Sequence, residues 1–158
     1  KRKININSLN VSVTEVKGVS RFTIVTETSK DMIDNIVKQI RKLIDVLGAF
    51  VYEEDQIFYQ EIALYKVPKY AIVDGKSIED LVSKSGARIL VVETDYMIIE
   101  KTGKARETHD LYQKLEPFGL LEFIRSGRVA ISKSTRKTEA YIKELEASNS
   151  NKLSIKDF

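Results

Sequence analysis

The sequence predicts an α+β fold: two small sandwiches of βαββαβ order, the first lacking its opening strand and helix. Three observations carry this. In the second half, period-two and period-3.6 apolar patterns follow one another as β-α-β-β-α-β, the ferredoxin-like order. The first half repeats the last four of those elements, β-β-α-β, so the chain holds an internal repeat of elements although not of residues. Finally, 158 residues with 42% apolar and 31% charged side chains suit one ordinary domain or two small ones, and exclude wholesale disorder.

The elements follow in order. From Asn5 to Thr14, Leu9, Val11 and Val13 alternate with Asn10, Ser12 and Thr14, the pattern of a half-buried strand. Glu15-Val16-Lys17-Gly18 is a turn, and Ser20 to Thr26, with Phe22 and Ile24 on one face, returns as the second arm of a hairpin. Thr28 or Ser29 caps a helix of about four turns. Its apolar stripe is Met32, Ile33, Ile36, Val37, Ile40, Leu43, Ile44 and Leu47, with Lys38, Gln39, Arg41, Lys42 and Asp45 toward water. Gly48 ends it, and Ala49 to Tyr52 is expected as a strand. The polar run Glu53-Glu54-Asp55-Gln56 marks the domain boundary.

Ile57 to Val67 opens the second half as a long strand stopped by Pro68. Ser77 caps a short helix closed by Gly86; Ala87 to Glu93 and Tyr96 to Lys101 are strands joined at Thr94-Asp95. A helix from Lys104 to Leu115 precedes Pro117; Gly119 to Ile124 is the last strand, Val129 to Ser132 either extends it or adds to the sheet edge, and a last helix runs over Thr135 to Leu145. The expected domains are residues 1–53 and 57–146, with a polar, flexible tail over 147–158. In a ferredoxin-like sheet the first strand is central, so the first half is expected to need a strand and a helix, roughly 20 to 25 residues, before Lys1.

Composition narrows the chemistry. With no cysteine, disulfides, zinc-thiolate sites, iron–sulfur clusters and thiol nucleophiles are excluded. His109 is the single histidine, which rules out a multi-histidine metal site; it reads as a surface residue of its helix. Asp74-Gly75-Lys76-Ser77 contains the Gly-Lys-Ser of a phosphate loop, but Tyr70 stands where that loop needs a glycine, so the segment reads as a turn delivering the Ser77 cap. Lys+Arg number 26 against 23 Asp+Glu, a net charge of +3, which is a solubility surface and no nucleic-acid footprint. The basic clusters Lys1-Arg2-Lys3, Lys38 to Lys42 and Arg125 to Arg128 lack the aromatic strand motif of an RNA-recognition domain. The longest apolar run, Val46 to Tyr52, is far short of the ~20 residues of a membrane span. Neither nucleic acid nor membrane is expected as a partner. No catalytic constellation stands out, and a ligand-sensing or partner-binding protein is the favoured class.

Longer strings add a resemblance. Asn5-Ile6-Asn7-Ser8-Leu9-Asn10-Val11 and Gly18-Val19-Ser20-Arg21-Phe22-Thr23-Ile24-Val25 resemble the start of the regulatory (small) subunit of acetohydroxyacid synthase, also called acetolactate synthase. Lys38 to Val46 is similar to that family's second helix, Gln60 to Val67 to the strand opening its C-terminal domain, and Arg125 to Ser132 to its closing segment. The resemblance runs from Arg2 to about Tyr141. It implies an ACT domain followed by a second ferredoxin-like domain, and a cytoplasmic subunit with no active site that binds and activates the catalytic (large) subunit. It also implies feedback inhibition by a branched-chain amino acid, valine foremost, in valine, leucine and isoleucine biosynthesis. No cofactor is expected in this chain; thiamine diphosphate, Mg²⁺ and FAD are expected in the catalytic partner.

Through the resemblance, Asn5 and Ile6 are the expected effector-binding residues. Ser8, Leu9, Asn10 and Val11 form the expected homodimer interface, and Arg125, Ser126 and Gly127 the expected contact with the catalytic subunit. The family's Asn-x-x-Gly turn, the other half of the effector pocket, is expected before Lys1. A carboxamide can both donate to and accept from an amino acid's charged ends. Equally, a strand-start asparagine can satisfy its own turn backbone, and both readings of Asn5 stand. A free-standing amino-acid-sensing ACT protein, or an RNA-binding module on the same scaffold, is the alternative function.

Overall fold

The computed structural model of this chain describes residues 4–70, 72–73 and 76–154. The chain forms two units. The first is Val11–Phe58 with the described residues before Ser8 and after Ala130; the second is Tyr59–Ala130 with Ser8–Asn10.

The chain opens on a hairpin, β1 (Ile6–Val13) and β2 (Ser20–Thr26), which form a two-stranded sheet; of β1, Ser8–Asn10 belongs to the second unit and the rest to the first. Thr14 closes the turn: its hydroxyl donates to Val19 O at 2.9 Å, and Gly18 takes φ 81°, open to glycine without steric cost. Period two is present, as expected, but the apolar face is the uncovered one. Leu9, Val11 and Val13 are 54%, 54% and 91% exposed, and Phe22 and Ile24 beside them are exposed too. Ser8, Asn10 and Ser12 form the better-buried side.

Helix α1 (Lys30–Ile40) starts after Ser29, whose backbone carbonyl accepts from Met32 and Ile33 while its side chain makes no cap bond. It is shorter than the expected four turns. After Arg41 N donates to Val37 O, the ladder tightens to Lys42 N on Gln39 O and Leu43 N on Ile40 O, the signature of a helix running out. The apolar residues meant to continue the stripe find no cover, Ile44 being 99% exposed. Helical turns without burial are marginal, so the helix stops. The Arg41 guanidinium then reaches forward and its Nε donates to Ala49 O at 2.9 Å. Residues 49–52 lie outside any strand, correcting the expected one. In the ferredoxin-like order the closing strand pairs with the opening one, and among the described residues this unit has no such partner for it.

The second unit has a central strand, which the first lacks among the described residues. β3 (Ile57–Pro68) buries Tyr59, Glu61, Ala63, Tyr65 and Val67 and exposes Phe58 and Ile62 between them. It is followed by the short antiparallel pair β4 (Ile72–Val73) and β5 (Lys76–Ser77), which the sequence did not predict. Asp74 and Gly75 of the Gly-Lys-Ser segment lie outside the described residues, as do Lys1-Arg2-Lys3. The Ser77 hydroxyl caps α2 (Ile78–Lys84), accepting from Asp80 N at 3.3 Å.

β6 (Arg88–Val92) and β7 (Tyr96–Gly103) form the next hairpin, with a bulge between Ile89 and Val91. β7 runs antiparallel to β3, Val67 opposite Met97 and Tyr65 opposite Ile99. After α3 (Ala105–Leu115), a 3₁₀ turn over Glu116–Phe118 carries Pro117, and Gly119 leaves it at φ 82°. β8 (Glu122–Arg125) pairs antiparallel with β3, starting later than expected; β9 (Val129–Ser132) also pairs with β3. The order β6-β7-β3-β8 is the ferredoxin-like sheet with its opening strand inside.

α2 and α3 bury Ile78, Val82, Leu111 and Leu115 against Ala63, Tyr65, Val67, Met97 and Ile99 of the sheet. Each fully buried aliphatic side chain contributes ~1.5–3 kcal/mol. On the opposite sheet face Ile62 and Ile124 remain exposed.

The terminal helix α4 (Thr138–Ser154) runs past Leu145 into the polar segment expected to fray, and 155–158 lie outside the described residues. Ala147, Lys152 and Leu153 are good helix formers, which favours the extension. α4 belongs to the first unit, where the sequence reading put residues up to 146 with the second. Packing accounts for it: the Tyr141 ring lies 5.0 Å from that of Phe50, and Arg21 Nη2 donates to Thr138 Oγ1 at 3.3 Å.

Tyr65 ties strand to helix, its hydroxyl donating to Thr108 O at 2.6 Å. Burial pushes its phenol up to about 12 from an ordinary 10.0, against the opposing pull of the Arg125 charge. Between those values the unfolded chain gives up a proton that the folded chain keeps, so this component of stability falls as pH rises through the window. Tyr65→Phe is expected to cost ~1 kcal/mol at neutral pH and to flatten the loss of stability between about pH 10 and 12. Urea unfolding of both proteins across that range measures it; an unchanged slope in the variant contradicts the assignment.

Candidate functional site

Two places gather the residues singled out from the sequence. The first is the open end of the β1–β2 hairpin. Asn5 is exposed just before β1, and its backbone is pinned because the Thr26 hydroxyl donates to Asn5 O at 2.7 Å. Its carboxamide donates to Asn7 Oδ1 at 3.4 Å, and Asn7 Nδ2 donates to Glu27 Oε1 at 3.2 Å. Two carboxamides and a carboxylate thus line one end of the hairpin, presenting donors, acceptors and a negative charge to solvent. Ile6 is exposed beside them. Asn7 and Glu27 were not singled out from the sequence, although the i, i+2 spacing of Asn5 and Asn7 puts both on one face. Along β1, Ser8 and Asn10 are half-buried while Leu9 and Val11 are exposed.

The second place is the connection from β8 to β9. Arg125 Nη1 donates to Ala105 O at 3.2 Å and to Thr108 Oγ1 at 3.4 Å, joining strand to helix. Its Nε lies 3.2 Å from Glu61 Oε2, and Arg128 Nε lies 3.5 Å from Glu61 Oε1. Glu61 is buried on the core-facing side of β3. The Arg128 guanidinium also covers the Tyr59 ring, 4.1 Å from its centroid, with the Lys104 ammonium 5.7 Å from the same ring. Ser126 fixes the backbone: its N donates to Ile62 O at 2.8 Å, and its Oγ accepts from Ile62 N at 2.9 Å and donates to Gly127 O at 2.9 Å. Gly127 lies close to β1, where an added Cβ would stand 2.9 Å from Leu9 O and 3.2 Å from Asn10 Cβ.

Arg125, Ser126 and Gly127 are therefore brought together in one ordered knuckle, and Gly127 meets Leu9 and Asn10. Asn5 and Ile6 belong to the other unit. Sequence reasoning missed Glu61, Tyr59 and the role of Arg128. A signal was present: Tyr59, Glu61, Ala63, Tyr65 and Val67 share one face of a strand, and a glutamate among core positions demands a cationic partner.

A second carboxylate is buried on the other face of the same sheet. Glu100 stands opposite Arg88 in the β6–β7 register, accepting from Arg88 Nε at 2.8 Å and from the Thr102 hydroxyl. At the β8–β9 knuckle Arg125 and Ser126 are exposed and Gly127 and Arg128 half-buried, while the one carboxylate lies within ion-pair distance of two cations. No helix among the described residues is long and apolar enough to cross a membrane.

Residues 1–48 match the family described as the AHAS small subunit-like ACT domain, and residues 60–134 the family described as small subunit of acetolactate synthase. The chain is 38% identical to the acetolactate synthase small subunit of Mycolicibacterium smegmatis over 136 residues, 86% of this chain and 79% of that protein. It is 31% identical to the Bacillus subtilis acetolactate synthase small subunit, again over 86% of this chain and 79% of the relative. The crystal structure of the acetolactate synthase small subunit from Thermotoga maritima superposes with a TM-score of 0.73 at 28% identity, covering 84% of this chain and 83% of that one.

The Thr102 hydroxyl first, and then the Arg88 guanidinium, hold the Glu100 carboxyl below its ordinary value of 4.5, while burial opposes them. A carboxylate lowered in the folded state stabilises it above the ordinary value, and that contribution is lost as pH falls through the folded value. Glu100→Gln is expected to lower stability at neutral pH and to weaken the decline on acidification below about pH 4.5. Denaturant midpoints measured from neutral pH into that acid range test it, and a variant with the parent's acid slope would refute it.

Proposed function

Since the chain belongs to the acetolactate synthase small-subunit family, we propose that it is the non-catalytic regulatory subunit of that enzyme. In this reading it binds the catalytic subunit in the cytoplasm, raises its activity and carries feedback inhibition by a branched-chain amino acid, valine foremost. Thiamine diphosphate, Mg²⁺ and FAD belong to the partner. The observation that carries the reading is likeness to named small subunits along 86% of the chain. The alternative, a free-standing amino-acid sensor or RNA-binding module, has no such support.

Three surfaces have roles here. Asn5 and Ile6 hold the effector, the Asn5 carboxamide meeting the amino acid's charged ends; its exposed side chain over a pinned backbone supports this. The β1 segment Ser8, Leu9, Asn10 and Val11 forms the homodimer interface. Its support is the apolar face of a two-stranded sheet left uncovered at Leu9 and Val11. Arg125, Ser126 and Gly127 contact the catalytic subunit.

The chain is expected to make no acetolactate from pyruvate alone and to stimulate its cognate catalytic subunit; turnover by the isolated chain contradicts the reading. Asn5→Ala is expected to remove about 1–3 kcal/mol of polar contact, shifting half-inhibition by valine about five- to 150-fold while activation persists. A valine titration of the reconstituted enzyme, variant against parent, decides this. An unmoved curve, with the parent responding, displaces the effector site from Asn5. Sedimentation at micromolar concentration is expected to give a dimer that Val11→Asp dissociates. A monomeric parent rules the interface out.

A further inference from the structure

The Glu61 carboxylate is buried, yet it serves two arginines that are themselves only partly buried. Arg125 and Arg128 keep 36% and 20% of their side-chain surface exposed, against 6% for Glu61. Two guanidinium groups three residues apart in a tight connection repel one another. The shared carboxylate draws both inward by charge, Arg128 at Oε1 and Arg125 at Oε2, the latter oxygen accepting no hydrogen bond. The next residue of β3, Ile62, fixes the backbone of the same knuckle through both of its peptide groups, by way of Ser126. Side chains and backbone of the β8–β9 connection are thus held from consecutive positions of the central strand.

We propose that Glu61 is a positioning residue for docking. It does not touch the partner; it presents Arg125, Ser126, Gly127 and Arg128 in the geometry that the catalytic subunit binds. The inference rests on the proposed contact at Arg125–Gly127 and adds to it the group that preorganises that contact, as well as Arg128 as a member of the surface. Preorganisation acts by sparing the loop the ordering cost at the moment of binding. Its loss therefore weakens affinity while leaving the saturated complex as active as before.

The test measures the concentration of the complete chain that half-maximally activates the cognate catalytic subunit. Glu61→Gln keeps the side-chain volume and removes the charge. Glu61→Asp keeps the charge one methylene short. Glu100→Gln is the control, since it breaks the other buried carboxylate–arginine pair of the same sheet, away from the knuckle. The thermal midpoint of each variant reports its stability separately.

The expected result is a rise of about tenfold in the half-activating concentration for Glu61→Gln, with maximal activation unchanged, and partial recovery for Glu61→Asp. Glu100→Gln is expected to stay within about twofold of the parent although its thermal midpoint also drops. If Glu61→Gln and Glu100→Gln shift alike, or Glu61→Gln saturates where the parent does, the positioning role is overturned. Should Glu61→Gln fail to fold, Glu61→Asp alone decides, because equality with the parent overturns the role and a selective loss of affinity upholds it. Failure of the function reading is distinct: the parent itself then neither binds nor activates, and the inference falls with it.

Discussion

The second unit depends on one strand being paired along its length. β3 takes β7 in antiparallel register from Glu61 to Pro68, and β8 from Ala63 to Lys66. A strand placed inside a sheet has both rows of peptide groups satisfied, and its alternate side chains need a cover on only one side. Tyr65 shows the consequence. It has a partner strand on either side, Ile99 on one and Phe123 on the other, and its hydroxyl reaches the carbonyl of Thr108 in α3. The helices lock onto a surface that β3 has already aligned.

The first unit shows the same chemistry without that constraint. Its hairpin has the right alternation, but Leu9, Val11 and Val13 are exposed, α1 stops at Ile40, and residues 49–52 join no sheet. These three departures have a common cause in the missing ladder partner. With no central strand among the described residues, the closing segment has nothing there to pair with. Without a full sheet the apolar stripe beyond Ile40 has nothing to cover, and propensity by itself does not sustain further turns. Arg41 and α4 satisfy part of this segment locally, through Ala49 O and the Phe50 ring.

What the sequence made legible follows from the range of each signal. Period and capping are local, so the strands from Ile57 onward, the Ser77 cap and the helix ending at Leu115 could be read directly. Which face of a strand is covered is a tertiary fact: Leu9-x-Val11-x-Val13 announces an apolar face and says nothing of its cover. The β4–β5 pair is too short for periodicity to reveal. At the β8–β9 knuckle, the arginines could be read as a basic cluster, but their counter-charge lies 64 residues before Arg125 on another strand, and only the sheet register joins them. Glu61 itself broke the apolar side of β3 and so was visible in principle. Its partners were not.

The two buried carboxylates show how one chemistry serves different ends. Glu100 is neutralised across a strand pair by Arg88 and accepts from Thr102 on its own strand, so it strengthens a single hairpin. Glu61 gathers two cations from a connection that would otherwise spread. Buried ion pairs are weak devices for stability, because desolvation cancels much of the attraction, but separating one leaves an uncompensated buried charge, so its partners are held in place. A regulatory subunit needs that property. In the proposed role it acts only through differential binding, and linkage makes the coupling reciprocal: an effector that weakens the productive complex is bound more weakly by that complex in equal measure. Such coupling is limited by how sharply the docking surface distinguishes its bound and free geometries. A loose loop adapts to either and transmits little. A knuckle fixed by a shared buried carboxylate resists adaptation, so a displacement of its partner surface costs free energy, and that cost is what an effector can act on.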